Sequence, residues 1–194
     1  MEPADLPAVK QAALLTDGFL SARELLESCR QRAEATEPVV NALVATDWDR
    51  AADTALALDD DRSLCADGSL RGLVTAHKDL LDTAGVVTTY GSVVFADHVP
   101  DVDHPLVSAL RVAGVVAVGK TNTPEFGAGS HTFNPVYGPT RNPYDHTRSA
   151  GGSSGGAAAA LATGMLSIAD GSDMMGSLRN PAGWNNVYGM RPSW

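Results

Sequence analysis

The 194-residue chain is long enough for one domain with a sizeable core, and 6% aromatic content beside 19 glycines favours close-packed α/β layers over a disulfide-stapled scaffold. A formal charge of -9, with Lys10, Lys78 and Lys120 as the lysines, excludes the basic footprint that nucleic acid or anionic lipid would need. Cys29 and Cys65 are isolated thiols that fit a reducing compartment, MEPADLPAVK lacks a signal-type apolar segment, and no window reaches transmembrane length, so the sequence reads as soluble and cytoplasmic, with no nucleic-acid or membrane partner.

From the N-terminus, residues 5 to 60 read as helical. Ser21 and Glu24 form an S-x-x-E capping box, with Leu20 and Leu25 placed as a hydrophobic staple around the start of ELLESCRQRAEA. Glu37-Pro38 predicts a break, and VVNALVATDWDRAADTALAL then reads as a second amphipathic stretch. It runs into Asp59, Asp60 and Asp61, expected as a solvated helix end.

From residue 70 the texture changes to short β-branched runs. These are LVTA at 73–76, GVVTTYG at 85–91 and GVVAVG at 114–119, the last preceded by the helix-like HPLVSALRVA. Helices alternating with such strands predict an α/β sheet buried on both faces. After residue 120 comes a stretch of about thirty residues rich in Gly, Pro, Asn, Thr and Tyr, a length that inside a compact domain signals function. It ends at SAGGSSGGAAAALATG, where glycines give way to an alanine-rich helix expected over 156–163.

Several motifs tempt and fail. GVVAVGKT at 114–121 fits the phosphate-loop pattern letter for letter, but its VVAV is itself strand-like and a helix-like segment precedes it, whereas the phosphate loop needs a strand before and a helix after. GGSSG at 151–155 fits the nucleophile elbow of α/β-hydrolases, which needs its histidine later in the chain. His77, His98, His104, His131 and His146 all precede Ser153. DHVPDVDHP at 97–105 has no recognised metal-ligand spacing and reads as a solvated loop.

Three features survive. Lys78, at the end of an apolar strand-like run in LVTAHKDLL, is either a surface lysine paired with Asp79 or a desolvated amine available as a base. Ser153 and Ser154 stand among glycines at a helix start, where close backbone approach and developing negative charge are both favoured. Ser177 follows GSDMMG in a segment whose successive N–H groups can converge on an oxyanion. Each has a plain alternative as a cap or polar turn.

Together they resemble one family, the amidase signature enzymes. The matching stretches are GLVTAHKDLLDTAGVVTTYGS, AGVVAVGKTNTPEFG, NPVYGPTRNPYDHTRSAGGSSGG and ADGSDMMGSLRNPAGWNNVYGMRPS, in that order along the chain. The resemblance implies an α/β amidase signature fold, a mixed β-sheet core covered by helices. It also implies a Ser-Ser-Lys triad: Lys78 as base, Ser153 as bridging residue after a cis Gly152-Ser153 bond, and Ser177 as nucleophile. The backbone N–H groups of Met174, Met175, Gly176 and Ser177 would hold the oxyanion, with Gly152, Ser154, Asp173 and Arg179 in support. A small-molecule amide would be the substrate, and no metal or cofactor would take part.

This chain departs from the family pattern at two points. Met174 and Met175 stand where many relatives read D-T-G-G-S, so that Met175 replaces a glycine, and the two methionines either line an apolar acyl pocket or fill the core. His77 either donates a hydrogen bond or packs. Family members are typically more than twice as long, so residues 1–194 read as the N-terminal part of a single domain, a helical segment over 1–60 and a sheet core with the motifs over 70–194. A half-sheet of this kind is expected to expose an unpaired edge, to favour self-association and to be weakly active or inactive alone. Competing readings are the glutamine-hydrolysing subunit of a tRNA-dependent amidotransferase and a non-catalytic binding module.

Overall fold

The computed structural model describes residues 2–61, 63–64 and 70–193. Cys65 lies outside them. Helix α1 (Ala8–Asp17) leads into α2 (Ala22–Val40), which opens with the expected capping box. Ser21 Oγ accepts the Glu24 N–H while the Glu24 carboxylate accepts the Ser21 N–H. The break at Pro38 does not occur. Proline sits in the last turn, and the helix ends three residues later at Asn41 in the left-handed conformation.

The N-terminal region is also not wholly helical. Leu43–Thr46 forms strand β1, and α3 starts only at Trp48 and runs to Asp60. Apolar runs this short carry no decisive period, and here pairing with a distant strand settles the conformation. The acidic end of α3 is likewise more than solvated: Asp59 accepts the Ala22 N–H at 2.8 Å and pairs with Arg23 at 3.0 Å, tying α3 to the start of α2.

Strand β2 (Val74–Lys78), helix α4 (Pro105–Val112) and strand β3 (Val116–Thr121) follow. The sheet order is β1-β3-β2, with β3 parallel to β2 and antiparallel to β1, a mixed sheet. Its helices supply the core: Leu25 and Cys29 of α2, Ala51 and Ala55 of α3, and Ala159 and Ala160 of the later helix pack with Val74, Ala76, Val116 and Val118. Full burial of a Val or Leu side chain contributes about 1.5 to 3 kcal/mol. Every position of β2 is buried, so both faces are covered there, as expected.

GVVTTYG forms turns rather than a strand. Its polar groups are consumed locally: Asp79 accepts the Thr89 N–H at 3.0 Å and the Thr89 hydroxyl at 2.5 Å. The supposed phosphate loop is strand β3. In DHVPDVDHP, Asp103 binds the Ala84 N–H and Arg111, and His104 caps α4.

The long loop contains two small hairpins, β4 (Phe133–Asn134) with β5 (Gly138–Pro139) and β6 (Arg141–Asn142) with β7 (Asp145–Ser149). Helices α5 (Gly155–Ala162) and α6 (Arg179–Trp184) close the chain. The outer edge of β2 is not bare. Residues 167–170 run along it, with the Ser167 N–H bonded to the Val74 carbonyl at 2.9 Å and the Ser167 hydroxyl accepting the Val74 N–H at 3.2 Å. Among the described residues no helix is long and apolar enough to cross a membrane.

Candidate active site

Three segments converge at the C-terminal end of β2: the strand end itself, the turn into α5 and the loop 170–178. Lys78 is 1% exposed, and its Nζ lies 2.6 Å from Ser153 Oγ, 2.9 Å from Ser172 Oγ and 3.0 Å from Ser154 Oγ. The reading of Lys78 as a surface lysine paired with Asp79 is therefore overturned, because burial removes it from water and Asp79 turns to Thr89. An ammonium has three N–H donors, and three hydroxyl oxygens receive them. A neutral amine keeps two donors and a lone pair, which can accept a hydroxyl proton from Ser153, the nearest of the three. Burial lowers the Lys78 pKa to about 8, against the raising effect of Asp170 and Asp173.

Ser153 and Ser154 are buried, and the Gly152-Ser153 peptide is cis, the isomer expected from the resemblance. Gly152 is demanded by close approach, since a Cβ there would stand 2.7 Å from the His131 backbone nitrogen. Thr132 braces the same turn, its hydroxyl donating to the Gly151 carbonyl at 2.8 Å and accepting the Gly155 N–H at 3.0 Å.

Ser177 is half-buried and joins the site through its main chain, its carbonyl accepting the Ser154 N–H at 2.9 Å. Among the described residues its hydroxyl makes no hydrogen bond, whereas Lys78 and Ser153 are in direct contact.

Asp173 shapes the loop around Ser177. One oxygen accepts the Gly176 N–H at 2.6 Å, and the other accepts the Arg179 N–H at 3.2 Å and Nε at 2.8 Å. The Arg179 guanidinium, together with these backbone donors, holds the Asp173 carboxyl well below the usual carboxylate range. Gly176 is thus committed to Asp173, whereas the N–H groups of Met174, Met175 and Ser177 have no acceptor among the described residues.

Met174 and Met175 are 88% and 87% exposed, so neither fills the core. Nor does Met175 strain the turn: the positive φ of +112° belongs to Gly176, where a Cβ would stand 2.7 Å from Asn180 Nδ2.

Two polar groups of the site escape the sequence reading. Ser172 supplies the third hydroxyl, and the signal for it is the donor count of a buried lysine, which GGSSGG alone cannot satisfy. Asp170 accepts the Lys78 N–H at 2.8 Å and lies 2.7 Å from His77 Nδ1. It stands out only as a carboxylate ending the otherwise apolar SIAD. His77 therefore hydrogen-bonds rather than merely packing.

Known proteins resemble the chain over most of its length. The chain is 42% identical over 175 residues to a glutamyl-tRNA(Gln) amidotransferase subunit of Aromatoleum aromaticum, covering 90% of this chain and 36% of that protein. Among solved structures, a bacterial aryl acylamidase of the amidase signature enzymes family superposes with a TM-score of 0.90 at 35% identity, over 97% of this chain and 39% of that one. The corresponding glutamyl-tRNA(Gln) amidotransferase subunit of Thermotoga maritima superposes with a TM-score of 0.77 at 32% identity, over 94% and 37%. The chain thus spans well under half the length of the relatives it matches. The family profile described as Amidase matches residues 24–194, and with it the motifs and the mixed-sheet fold find their common origin: the chain belongs to the amidase family.

Proposed function

We propose that the chain carries the catalytic machinery of a serine amidase, with Ser177 as nucleophile, Ser153 as proton bridge and Lys78 as base. The observation that carries this reading is the buried Lys78 amine 2.6 Å from Ser153 Oγ, in a site with no other base on that hydroxyl among the described residues. Neutral Lys78 takes the Ser153 proton as Ser153 takes that of Ser177, and Ser177 Oγ bonds to the amide carbon. The resulting oxyanion is held by the segment 174–177, where Met174, Met175 and Ser177 offer free N–H groups and Asp173 with Gly176 fixes the turn. Collapse breaks the C–N bond, and the leaving ammonia or amine receives the Lys78 proton back through Ser153. Water then attacks the acyl ester and gives a proton to Lys78 by the same route; the C–O bond to Ser177 breaks, Ser177 Oγ takes that proton back through Ser153, and the acid product leaves as carboxylate with its proton released to solvent.

A fluorophosphonate probe tests the assignment without knowledge of the substrate, since its phosphorus bonds to the serine oxygen with loss of fluoride. Labelling of the purified chain, lost in Ser177→Ala, is the expected result; equal labelling of that variant removes Ser177 as nucleophile.

A second reading is supported by the relatives that are glutamyl-tRNA(Gln) amidotransferase subunits, one of them 48% identical over 127 residues. In it the same triad hydrolyses glutamine and passes ammonia to a partner. The closer superposition on an aryl acylamidase than on the amidotransferase favours simple amide hydrolysis. Glutaminase activity appearing only with an added partner protein would reverse the preference.

A further inference from the structure

We propose that Asp170 is the positioning residue of the lysine base, clamping the main chain of Lys78 with one carboxylate oxygen and the buried His77 ring with the other. The inference rests on the triad reading above. Its ground is the geometry of the outer edge of β2. The segment 167–170 gives its Ser167 N–H to the Val74 carbonyl, but the N–H groups of β2 that face it find side-chain acceptors: Ser167 Oγ takes that of Val74 at 3.2 Å, and the Asp170 carboxylate, through Oδ1, takes that of Lys78 at 2.8 Å, in the place of a ladder carbonyl. A charged acceptor makes this bond stronger than a neutral one. The other oxygen is held at 2.7 Å by His77 Nδ1, and the two side chains are 5% and 0% exposed. With Nδ1–H donating, the buried Nε2 is left without a partner among the described residues, so the ring is oriented by Asp170 alone.

The carboxylate is thereby fixed beside the amine it positions, and its charge acts on that amine. Around Lys78 stand Asp170 and Asp173 from the loop, His77 and Asp79 on its own strand and turn, and Lys120 across the sheet at the register position of His77. Helix α5 brings Ser154 and small residues. Asp170 is the larger of the two charges that oppose the lowering of the Lys78 pKa by burial.

The test uses the full chain, fluorophosphonate labelling across pH, and 13C at lysine Cε, where Lys10, Lys78 and Lys120 give assignable signals. Asp170→Asn keeps an oxygen for the Lys78 N–H and removes the charge. The rise of labelling with pH and the Lys78 Cε titration are both expected to move to lower pH, by about one unit. Asp170→Ala also removes the clamp, and a loss of about a hundred-fold in maximal labelling rate is expected from misplacement of the base. A folded Asp170→Asn chain with both midpoints at their wild-type positions overturns the proposal, whether or not Asp170→Ala folds. Wild-type labelling of Lys78→Ala would sink the triad instead. In that case the Cε titration, which needs no reaction at Ser177, still decides whether Asp170 acts on Lys78.

Discussion

Lys78 ends β2 and Lys120 stands one residue before the end of the parallel β3; both are fully buried, and both have their pKa lowered to about 8 by that burial. Their partners separate them. Lys78 faces three serine hydroxyls; that of Ser154 is directed to the Ser172 carbonyl at 3.5 Å, while those of Ser153 and Ser172 have no other acceptor among the described residues. Lys120 faces the Leu81 carbonyl, which has none, and the Thr83 hydroxyl, whose proton is directed to that same carbonyl at 3.1 Å. A desolvated amine is therefore not a base by virtue of burial alone. It needs a neighbour that can hand it a proton, and by that criterion Lys120 is a brace for the turn that follows Lys78.

The largest test of this contrast is Lys78→Ala, expected to slow fluorophosphonate labelling by about 10² to 10⁴. Labelling that survives at the wild-type rate would make Lys78 a brace too. Lys120→Met should act on stability instead, losing about 2 to 3 kcal/mol in urea unfolding as the Leu81 carbonyl and Thr83 lose a buried donor. Its folded fraction should keep the wild-type pH dependence of labelling; a displaced midpoint would mean that Lys120 belongs to the chemistry.

In the wild type, labelling should rise as pH passes through about 8, since Lys78 must be neutral to accept a proton. The linked stability has a definite sign. Both lysines release their protons at lower pH when folded than the ordinary 10.5, so the unfolded chain binds more protons between about 8 and 10.5. Stability contributed by these two groups therefore increases with pH across that window, is lost as pH drops from 10.5 towards 8, and levels off below 8 where both states are protonated. Urea midpoints measured across it, in wild type and in Lys120→Met, should show a weaker rise in the variant.

The smallest effect is expected at the methionines. Met175→Ala should change stability by less than about 0.5 kcal/mol, because its side chain is exposed and its backbone requires no glycine. A larger loss in thermal unfolding would show that the side chain has a packing role.

Much of the site is legible in the sequence because its chemistry lies in local words. GGSSGG, HKD and GSDMMGSLR each have a plain alternative taken alone, but their joint order points to one family. The capping box at Ser21 is legible for the same reason, since cap and partner are three residues apart. Strand β1 is not legible in this way, and GVVTTYG has the pattern of a strand it does not form. In both, a short apolar run has no period of its own to decide between conformations, and distant pairing or local side-chain bonds decide instead.

By itself, then, the sequence determined the family, the α/β class and the identity of Lys78, Ser153 and Ser177 as candidates, because these depend on residue type and order. The tertiary structure decided which lysine meets proton-bearing partners, that Ser172 and Asp170 complete the surroundings of Lys78, and that the positive backbone angle falls on Gly176 rather than Met175. The encounters at Lys78 depend on groups about ninety residues apart arriving within hydrogen-bond distance, and no local pattern encodes such an approach.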